Sequence, residues 1–517
     1  MINSDNMKLI RIIPVLIALL GLSSCQKYLE KPNRIQASIS TADQLLSLMD
    51  NVASTSPDWA GQFAADFAAA YYTDDAEFNL EAVNINPVAV NLNAAFYYTF
   101  DSENIIKAAT TDPLWANAWQ RVLTANIVLN NVESVTGSEE TKNIVKANAY
   151  FARAYAYWSL VNHYCQPYSQ STLQTLGLPI RKTNGYTEPL KRVTLKETYD
   201  FIMADISEAQ KFVTYNDVQP AFRWRISKPA IAAFLSRYYL FTGDYTNALA
   251  QANIALAASG STLVDYNNIP LATNPSTYRD SRDGKSYTVT FGAFAQYTSS
   301  QYLAWPEFYY TSFTAGQNTG TNNFNASPAL ISNYDTPSDA KGNDLRIKLL
   351  MPDNSGFTAA WSIAGLYGYK MFSINLLNTG PSVPEVLLNK AEAAARMNDF
   401  VTAGAAINTL RAKRFVTGYV STNQTFTAAN ALELVLRERR RELPFGFRFF
   451  DIRRFAYNET PADDITVTRT FYNVTPAAVD RSTTKTYILP VKSSRYMIPI
   501  PNSDILQSQG MLVQNDY

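Results

Sequence analysis

The side chains that could do chemistry in this chain are few, and they form no complete catalytic set. His163 is the only histidine, and no Gly-x-Ser-x-Gly turn exists to present a nucleophilic serine. One histidine and two cysteines are a poor ligand set for a transition metal. We therefore expect His163 to be a packed helix residue, and we expect no metal and no cofactor.

Paired carboxylates are the catalytic arrangement that composition leaves open, because glycoside hydrolysis needs only two acids on opposite sides of a bond. Asp74 and Asp75 are the first pair to consider. Adjacent residues, however, rarely face each other across a substrate. A contact within the loop or a hydrogen bond to a ligand is the favoured interpretation, and we expect the protein not to be an enzyme.

Aromatic side chains are abundant, with 32 tyrosines, 27 phenylalanines and 7 tryptophans. Sugar binding uses flat aromatic faces against pyranose rings and polar groups that pair with hydroxyls. Two long segments rich in Asn, Thr, Ser, Gly and Pro supply both kinds of residue. The alternative is that each ring packs inside its own loop. The candidate ligand-binding residues are Trp59, Tyr71, Tyr72, Asp74, Asp75, Trp305, Tyr309 and Tyr310.

A strongly charged segment runs from Arg437 to Arg454. On a helix, Glu438 and Glu442 are four residues apart, so arginines three or four residues away can pair with them. This pattern predicts a structural network of ion pairs rather than a polyanion site.

Composition excludes one class of partner. The chain has 44 basic and 44 acidic residues, so there is no electrostatic reason to expect nucleic acid. Hydrophobic residues make up 47% of its 517 residues, which is enough for a large core. Cys165 is the only cysteine besides Cys25, so no intrachain disulfide framework is expected to stabilise it.

The N-terminal segment is typical of an export signal that ends in a lipoprotein cleavage site. Lys8 and Arg11 precede an apolar run that closes with Leu22-Ser23-Ser24-Cys25. The run is shorter than the ~20 residues that span a bilayer. Residues 1–24 are therefore predicted to be a signal peptide, and Cys25 is predicted to be acylated. The other interpretation is a secretory signal with an incidental cysteine.

Most of the remaining sequence is predicted to form helices. Asp112-Pro113 is a helix start, because an acceptor side chain precedes a proline at the first helical position. A second helix is predicted to begin at Ser138, and the capping box over 194–197 opens a third. Alternation over 287–291 predicts a short strand.

Two helical hairpins, at 229–256 and 384–414, follow one plan. In each, a short turn carries an aspartate followed by an aromatic residue, and alanines allow the two helices to approach closely. The plan resembles the tetratricopeptide unit, and about four units are predicted. The partial copies lie near 114–160 and 194–240.

The segment from Arg437 to Arg454, with the closing Ile498-Pro499-Ile500-Pro501, resembles the signature end of the SusD/RagB family of surface glycan- and nutrient-binding lipoproteins. The similarity extends to the N-terminal cysteine site and to the hairpin at 384–414. Family members often carry an acidic residue before the glycine of Phe-Glu-Gly-x-Arg, which Phe445-Gly446-Phe447-Arg448 lacks.

This resemblance implies a mostly α-helical fold of about four tetratricopeptide-like hairpins with long irregular insertions and minor β-structure. It implies a single SusD-like domain over 25–517, attached to the outer membrane and facing outwards, and a SusC-like TonB-dependent transporter as partner. The ligand would be an oligosaccharide captured for import or, in some relatives, a peptide. A lipid-anchored glycoside hydrolase is the remaining hypothesis. The helical repeats are expected at about 112–260 and 382–455, and the ligand-face insertions at about 51–111 and 260–381.

Overall fold

A computed structural model describes most of the chain. The described residues are 39–50, 62–63, 68–85, 90–108, 112–185, 188–280, 282–297, 299–315, 324–334, 343–351, 363–369, 371–372, 376–419 and 423–517. The predicted signal peptide, Cys25 and Trp59 lie outside them. Within these ranges, no helix has both the length and the apolar character that crossing a bilayer requires.

Helices dominate the fold, as predicted. The described residues contain α1 (Ala42–Met49), α2 (Ala68–Tyr71), α3 (Leu80–Ile85), α4 (Leu92–Tyr98), α5 (Ser102–Ala108), α6 (Pro113–Asn131), α7 (Glu139–Tyr164), α8 (Leu195–Phe212), α9 (Lys228–Phe241), α10 (Tyr245–Leu256), α11 (Ser299–Leu303), α12 (Pro328–Ile331), α13 (Leu345–Leu350), α14 (Val383–Arg396), α15 (Phe400–Arg411), α16 (Ala431–Glu442), α17 (Gly446–Phe455) and α18 (Asn502–Gln507).

Local caps start three long helices where the sequence predicts them. The Asp112 carboxylate accepts hydrogen bonds from two backbone N–H groups in the first turn of α6. Ser138 caps α7 in the same way, and Thr194 and Glu197 form the capping box of α8. These predictions are confirmed.

The two predicted hairpins are the helix pairs α9–α10 and α14–α15. Asp244 and Asp399 each cap the second helix by accepting a hydrogen bond from a backbone N–H three residues on. The turns adopt left-handed backbone at Gly243 (φ 80°) and Asn398 (φ 63°), which these two residue types tolerate best. Because α10 packs along α14, the hairpins lie side by side.

The other long helices extend this array. The 26-residue helix α7 packs between α6 and α8, and α1 also packs on α7. On the other side, α16 packs against α14 and α15. The result is a continuous series of neighbouring helices.

The β-structure is minor. Its strands are β1 (Gln62–Phe63), β2 (Ala76–Glu77), β3 (Ser276–Arg279), β4 (Ser286–Val289), β5 (Phe313–Ala315), β6 (Asn325–Ala326), β7 (Leu376–Asn378), β8 (Val467–Val474) and β9 (Val479–Leu489). The predicted strand over 287–291 is found in part: β4 covers its first three residues, ends at Val289, and pairs with β3 in an antiparallel hairpin. The pairs β1–β5 (parallel), β5–β7 and β2–β6 (both antiparallel) lie in the insertions. The longest hairpin, β8–β9, places Val467 opposite Leu489.

The hydrophobic core includes parts of both predicted loop insertions. Phe78 and Phe96 from the first insertion, and Tyr302 and Phe308 from the second, are buried together with the helical core. These parts of the insertions therefore pack against the helices instead of standing away from them.

Candidate functional site

The paired carboxylates Asp74 and Asp75 join the first insertion to helices α16 and α17. Asp74 accepts two hydrogen bonds from Arg448, at 2.8 and 2.9 Å. Asp75 accepts one from Nε of Arg440 at 2.6 Å and one from the backbone N–H of Phe445 at 2.9 Å. The protein's own arginines thus occupy both carboxylates, which supports the interpretation as a contact within the fold.

Burial and the arginines act in opposite directions on these carboxyl groups. Burial alone would raise the pKa of Asp74, but Arg448 and Arg440 outweigh it and lower that pKa to about 2. Burial raises the pKa of Asp75 despite the nearby Arg440. Asp74 is therefore a carboxylate throughout the neutral range.

The aromatic residues predicted to form a binding platform lie inside the protein. Tyr71, Tyr72, Trp305, Tyr309 and Tyr310 each expose at most 3% of their surface. A ring without an exposed face cannot cover a sugar, so the prediction of an open platform at these five residues is wrong. Trp59 lies outside the described residues and stays a prediction.

Partners inside the fold explain why these rings turn inwards. The indole N–H of Trp305 donates to Glu307 at 3.2 Å, and the hydroxyl of Tyr309 donates to the carbonyl oxygen of Ala255 at 3.0 Å. When the polar atom of a ring is paired, its apolar area can be buried without an unsatisfied group.

His163 is a packed helix residue, as predicted. Its Nδ1 donates to the carbonyl oxygen of Ser159 at 2.7 Å, and its ring stacks on Phe449 with 6.0 Å between centroids. Burial lowers the pKa of His163 to about 4, so the imidazole is neutral at pH 7. In the part of the chain that the structure describes, no group of three or more His, Cys, Asp or Glu side chains could hold a metal ion.

The charged segment from Arg437 to Arg454 forms buried ion pairs, as predicted. Two of them are local, Arg441–Glu438 at 2.7 Å and Arg454–Asp451 at 2.9 Å. Most of the others connect separate elements, so the network ties helices and loops together. These longer connections are Arg439–Asp451, Arg454–Glu392, Arg346–Glu438, Arg411–Glu438, Arg440–Asp75 and Arg448–Asp74.

An interior cavity of about 110 Å³ lies beside α7, α9 and α17. Its walls are mainly apolar and aromatic and include Trp158 and Phe450. The guanidinium of Arg237 in the wall is already paired with Glu385 at 2.6 Å. The cavity has room for several water molecules, which is too little for a sugar chain.

A larger opening of about 840 Å³ lies at the surface, at the turns of the two hairpins. It is referred to below as the turn cleft. It is bounded by the turns that follow α9 and α14, by the chain after α7, and by the chain after α17. Its volume falls in the ~300–1,000 Å³ range of small-molecule sites. Its partly exposed aromatic residues are Tyr168, Tyr245, Phe400 and Tyr457, and its polar residues include Ser169, Gln170, Ser171, Arg396, Asn398, Asn458, Glu459, Thr460 and Lys492.

The turn cleft therefore supplies what the predicted platform does not. Its tyrosine rings keep part of their surface exposed, and hydroxyl, amide and charged groups surround them. Aromatic area combined with hydrogen-bonding groups is suited to ligands that have both an apolar face and many hydroxyls.

Two sequence families match the two ends of the chain. Residues 27–240 match the family described as "Starch-binding associating with outer membrane", and residues 383–517 match the SusD family. The chain belongs to the SusD family. The resemblance noted in the C-terminal charged segment is thereby confirmed, and so is the mostly helical, tetratricopeptide-like fold expected from it.

Solved SusD-family structures share the fold over nearly the whole length. A SusD superfamily protein from Bacteroides thetaiotaomicron superposes with a TM-score of 0.63 at 18% identity, covering 92% of this chain and 100% of that one. A putative sugar binding protein from Bacteroides vulgatus gives 0.61 at 18% identity, covering 93% and 99%. At these identities the likeness shows the fold alone.

A curated relative, SusD-like protein P2 of Formosa agariphila, is 27% identical over 143 residues. The match covers 28% of this chain and 26% of the relative, so the chain spans only about a quarter of that relative's length.

Sequence reasoning missed the turn cleft. Its aromatic residues come from positions next to helix ends, where Tyr245 and Phe400 follow the capping aspartates of the hairpin turns. The repeated Asp-aromatic pair was visible in the sequence as a turn signal. Nothing in the sequence placed Tyr168 and Tyr457 beside these turns, because that proximity depends on how separate elements pack.

Proposed function

We propose that this SusD-family protein captures oligosaccharides and delivers them to a SusC-like TonB-dependent transporter for import. The observation that carries the proposal is family membership at both ends of the chain, together with a fold similar to structures described as sugar-binding and carbohydrate-binding proteins. The proposed role is binding without conversion of the ligand. In support, the arginine contacts of Asp74 and Asp75 occupy the carboxylate pair that the sequence offered as acid and base.

The turn cleft is the proposed binding surface. Three arguments support it: a volume of about 840 Å³, partly exposed tyrosine rings, and polar groups that could pair with hydroxyls. Tyr245 and Tyr457 are the rings we expect to contact the sugar. Trp59, on the first insertion, remains a second candidate from the sequence.

Calorimetric titration of the full chain in detergent against neutral and charged polysaccharides, their oligomers and mixed peptides tests the proposal. Saturable binding to a glycan without degradation products is expected. Tyr245→Ala and Tyr457→Ala should each weaken that binding by about tenfold, the equivalent of ~1.4 kcal/mol. Tyr419→Ala is the matched control, because Tyr419 is also partly exposed but stacks on Phe415 outside the cleft.

Each alternative has its own outcome in this experiment. Binding to peptides only would replace sugar capture by peptide capture. Release of shortened glycans would make the protein a glycoside hydrolase. Glycan binding that survives both cleft substitutions would move the site elsewhere, with Trp59→Ala as the next variant.

The membrane anchor and the transporter are part of the same proposal. Acylation at Cys25 would hold the protein at the outer membrane, and Cys25→Ala should release it into the soluble fraction and abolish labelling with radioactive palmitate. A SusC-like barrel should co-purify with the wild-type protein from detergent-solubilised outer membranes. Purification without any such barrel would contradict the proposed partner.

A further inference from the structure

One buried cation beside the turn cleft has no carboxylate partner. Arg453, on α17, exposes 3% of its surface. Its guanidinium donates to the carbonyl oxygen of Cys165, and its Nε has no hydrogen-bond partner. No carboxylate among the residues that the structure describes lies within ion-pair distance of it. Burial without a counter-ion lowers the pKa of Arg453 to about 10.

The two arginines that line the turn cleft itself do have carboxylate partners. Arg396 lies 2.7 Å from Asp463, and Arg454 lies 2.6 Å from Glu392. A buried charge without a partner costs several kcal/mol of solvation. Arg453 therefore carries a positive charge that the described part of the fold itself does not compensate.

A small pocket opens beside Arg453. It is lined by Arg453, Tyr457, Lys492, Ser493 and Tyr496, among others, and has a volume of about 10 Å³, which is the space of one water molecule or one oxygen atom. The buried hydroxyl of Tyr496 also lacks a hydrogen-bond partner. The pocket thus brings together two side chains with unused hydrogen-bonding capacity.

The pocket borders the turn cleft, because Tyr457 and Lys492 line both of them. Lys492 is exposed, and its ammonium lies 5.5 Å from the centroid of the Tyr457 ring. No carboxylate pairs with Lys492 within the described ranges. Glu459 also lines the cleft and is exposed, but it is not among the residues that line the small pocket.

From this geometry we propose that the turn cleft recognises acidic glycans, with one oxygen of a sugar carboxylate or sulfate seated in the small pocket between Arg453 and Lys492 and the sugar ring against Tyr457. The inference rests on the proposed glycan-binding function and narrows its substrate class. Charge-assisted hydrogen bonds from a guanidinium and an ammonium are the strong interactions that select such oxyanions.

Two pairs of polysaccharides test this inference. The two members of a pair share one backbone, and only one of them is charged. Polygalacturonate is compared with its methyl ester, and dextran sulfate with dextran. We expect at least one charged member to bind at least tenfold more tightly than its neutral partner, with an affinity that falls as salt increases. The first pair reports on carboxylates and the second on sulfates.

Lys492→Gln is the decisive variant, because Lys492 is exposed and its loss should not disturb the core. It should weaken binding of the preferred charged glycan about tenfold more than it weakens binding of the matching neutral glycan. Lys485→Gln is the matched control, since Lys485 is likewise exposed and lies 5.4 Å from the ring of Tyr487, on the β8–β9 hairpin and outside the cleft. Arg453→Met should give a still larger loss, provided that circular dichroism shows the variant to be folded.

The outcomes separate the two proposals. Equal binding of charged and neutral members, or charged-glycan binding that Lys492→Gln leaves intact, overturns the acidic-glycan inference while glycan capture stands. Absence of binding to every glycan in both the probe pairs and the wider titration contradicts both.

Discussion

The ion pair between Asp74 and Arg448 should make the stability of the folded protein depend on pH. Asp74 has a pKa of about 2 in the folded protein, against an ordinary value of 3.8. The lowered pKa means that the carboxylate stabilises the fold at pH values above 3.8, and that this stabilisation is lost as the pH falls towards 2. This difference in pKa contributes about 2 kcal/mol to the free energy of unfolding at pH 7 and roughly 1 kcal/mol at pH 3.

Asp74→Asn removes this contribution at every pH. We expect the variant to have a free energy of unfolding about 2 kcal/mol below that of the wild type at pH 7, and we expect the gap to shrink to about half at pH 3. Urea denaturation followed by tryptophan fluorescence at pH 7, 5, 4 and 3 measures both quantities. Asp516→Asn, which removes an exposed carboxylate near the C-terminus, is the control and should show a gap near zero throughout.

Two results would refute this reasoning. A gap below about 0.5 kcal/mol at pH 7 would mean that the ion pair contributes no more than an exposed one does. A gap that stays constant from pH 7 to pH 3 would mean that Asp74 acts through its shape and not through its charge.

Three further predictions follow from buried groups. Glu438→Gln should lower the free energy of unfolding by ~3–5 kcal/mol, because Arg346, Arg411 and Arg441 all lie within 2.8 Å of that buried carboxylate. Urea denaturation measures the effect, with Glu433→Gln, at an exposed position on the same helix, as the control. Equal effects of the two substitutions would contradict the prediction. Burial holds the pKa of His163 at about 4, so below about pH 6.5 the unfolded chain takes up a proton that the folded protein does not. The free energy of unfolding of the wild type should therefore fall by roughly 3 kcal/mol more between pH 7 and pH 4 than that of His163→Phe. Parallel pH profiles of the two proteins would be evidence against this prediction. Tyr309→Phe should cost about 1–2 kcal/mol of stability through its lost hydrogen bonds to Ala255 and Ser261, with glycan affinity unchanged, and a loss of affinity in a stable variant would return this ring to the binding site.

Local signals predicted much of the helical architecture. The starts of α6, α7 and α8 follow from caps at Asp112, Ser138 and Thr194, whose side chains bond to the next turn of the same chain segment. The hairpin turns at Asp244 and Asp399 follow from the same kind of local contact. Such contacts depend only on neighbouring residues, so a single sequence suffices to find them.

The aromatic site could not be predicted in the same way. The sequence shows that Trp305 and Tyr309 occur in a polar segment, but it does not show that Glu307 and Ala255 accept their hydrogen bonds and hold them inside. The turn cleft likewise depends on the packing of Tyr457 beside a turn that is more than 200 residues away in the chain. Long-range packing decides which rings remain exposed.

The charged segment from Arg437 to Arg454 contains one kind of ion pair that the sequence predicts and one kind that it does not. The pairing of Arg441 with Glu438 is local and was predictable from helical spacing. The pairing of Arg440 with Asp75 spans 365 residues, and no pattern in either segment identifies the other.

That long connection has a consequence for the order in which the chain folds. Ribosomes make the first insertion early, but the arginines that neutralise Asp74 and Asp75 emerge only when α16 and α17 have been made. Until then, closing the surroundings of Asp75 would bury a carboxylate without its counter-ion, at a cost of several kcal/mol. We therefore expect the surroundings of Asp75 to close only after α16 and α17 have been made. Contacts this distant in sequence also form slowly, so we expect the connection between the first insertion and these two arginines to be among the last to form.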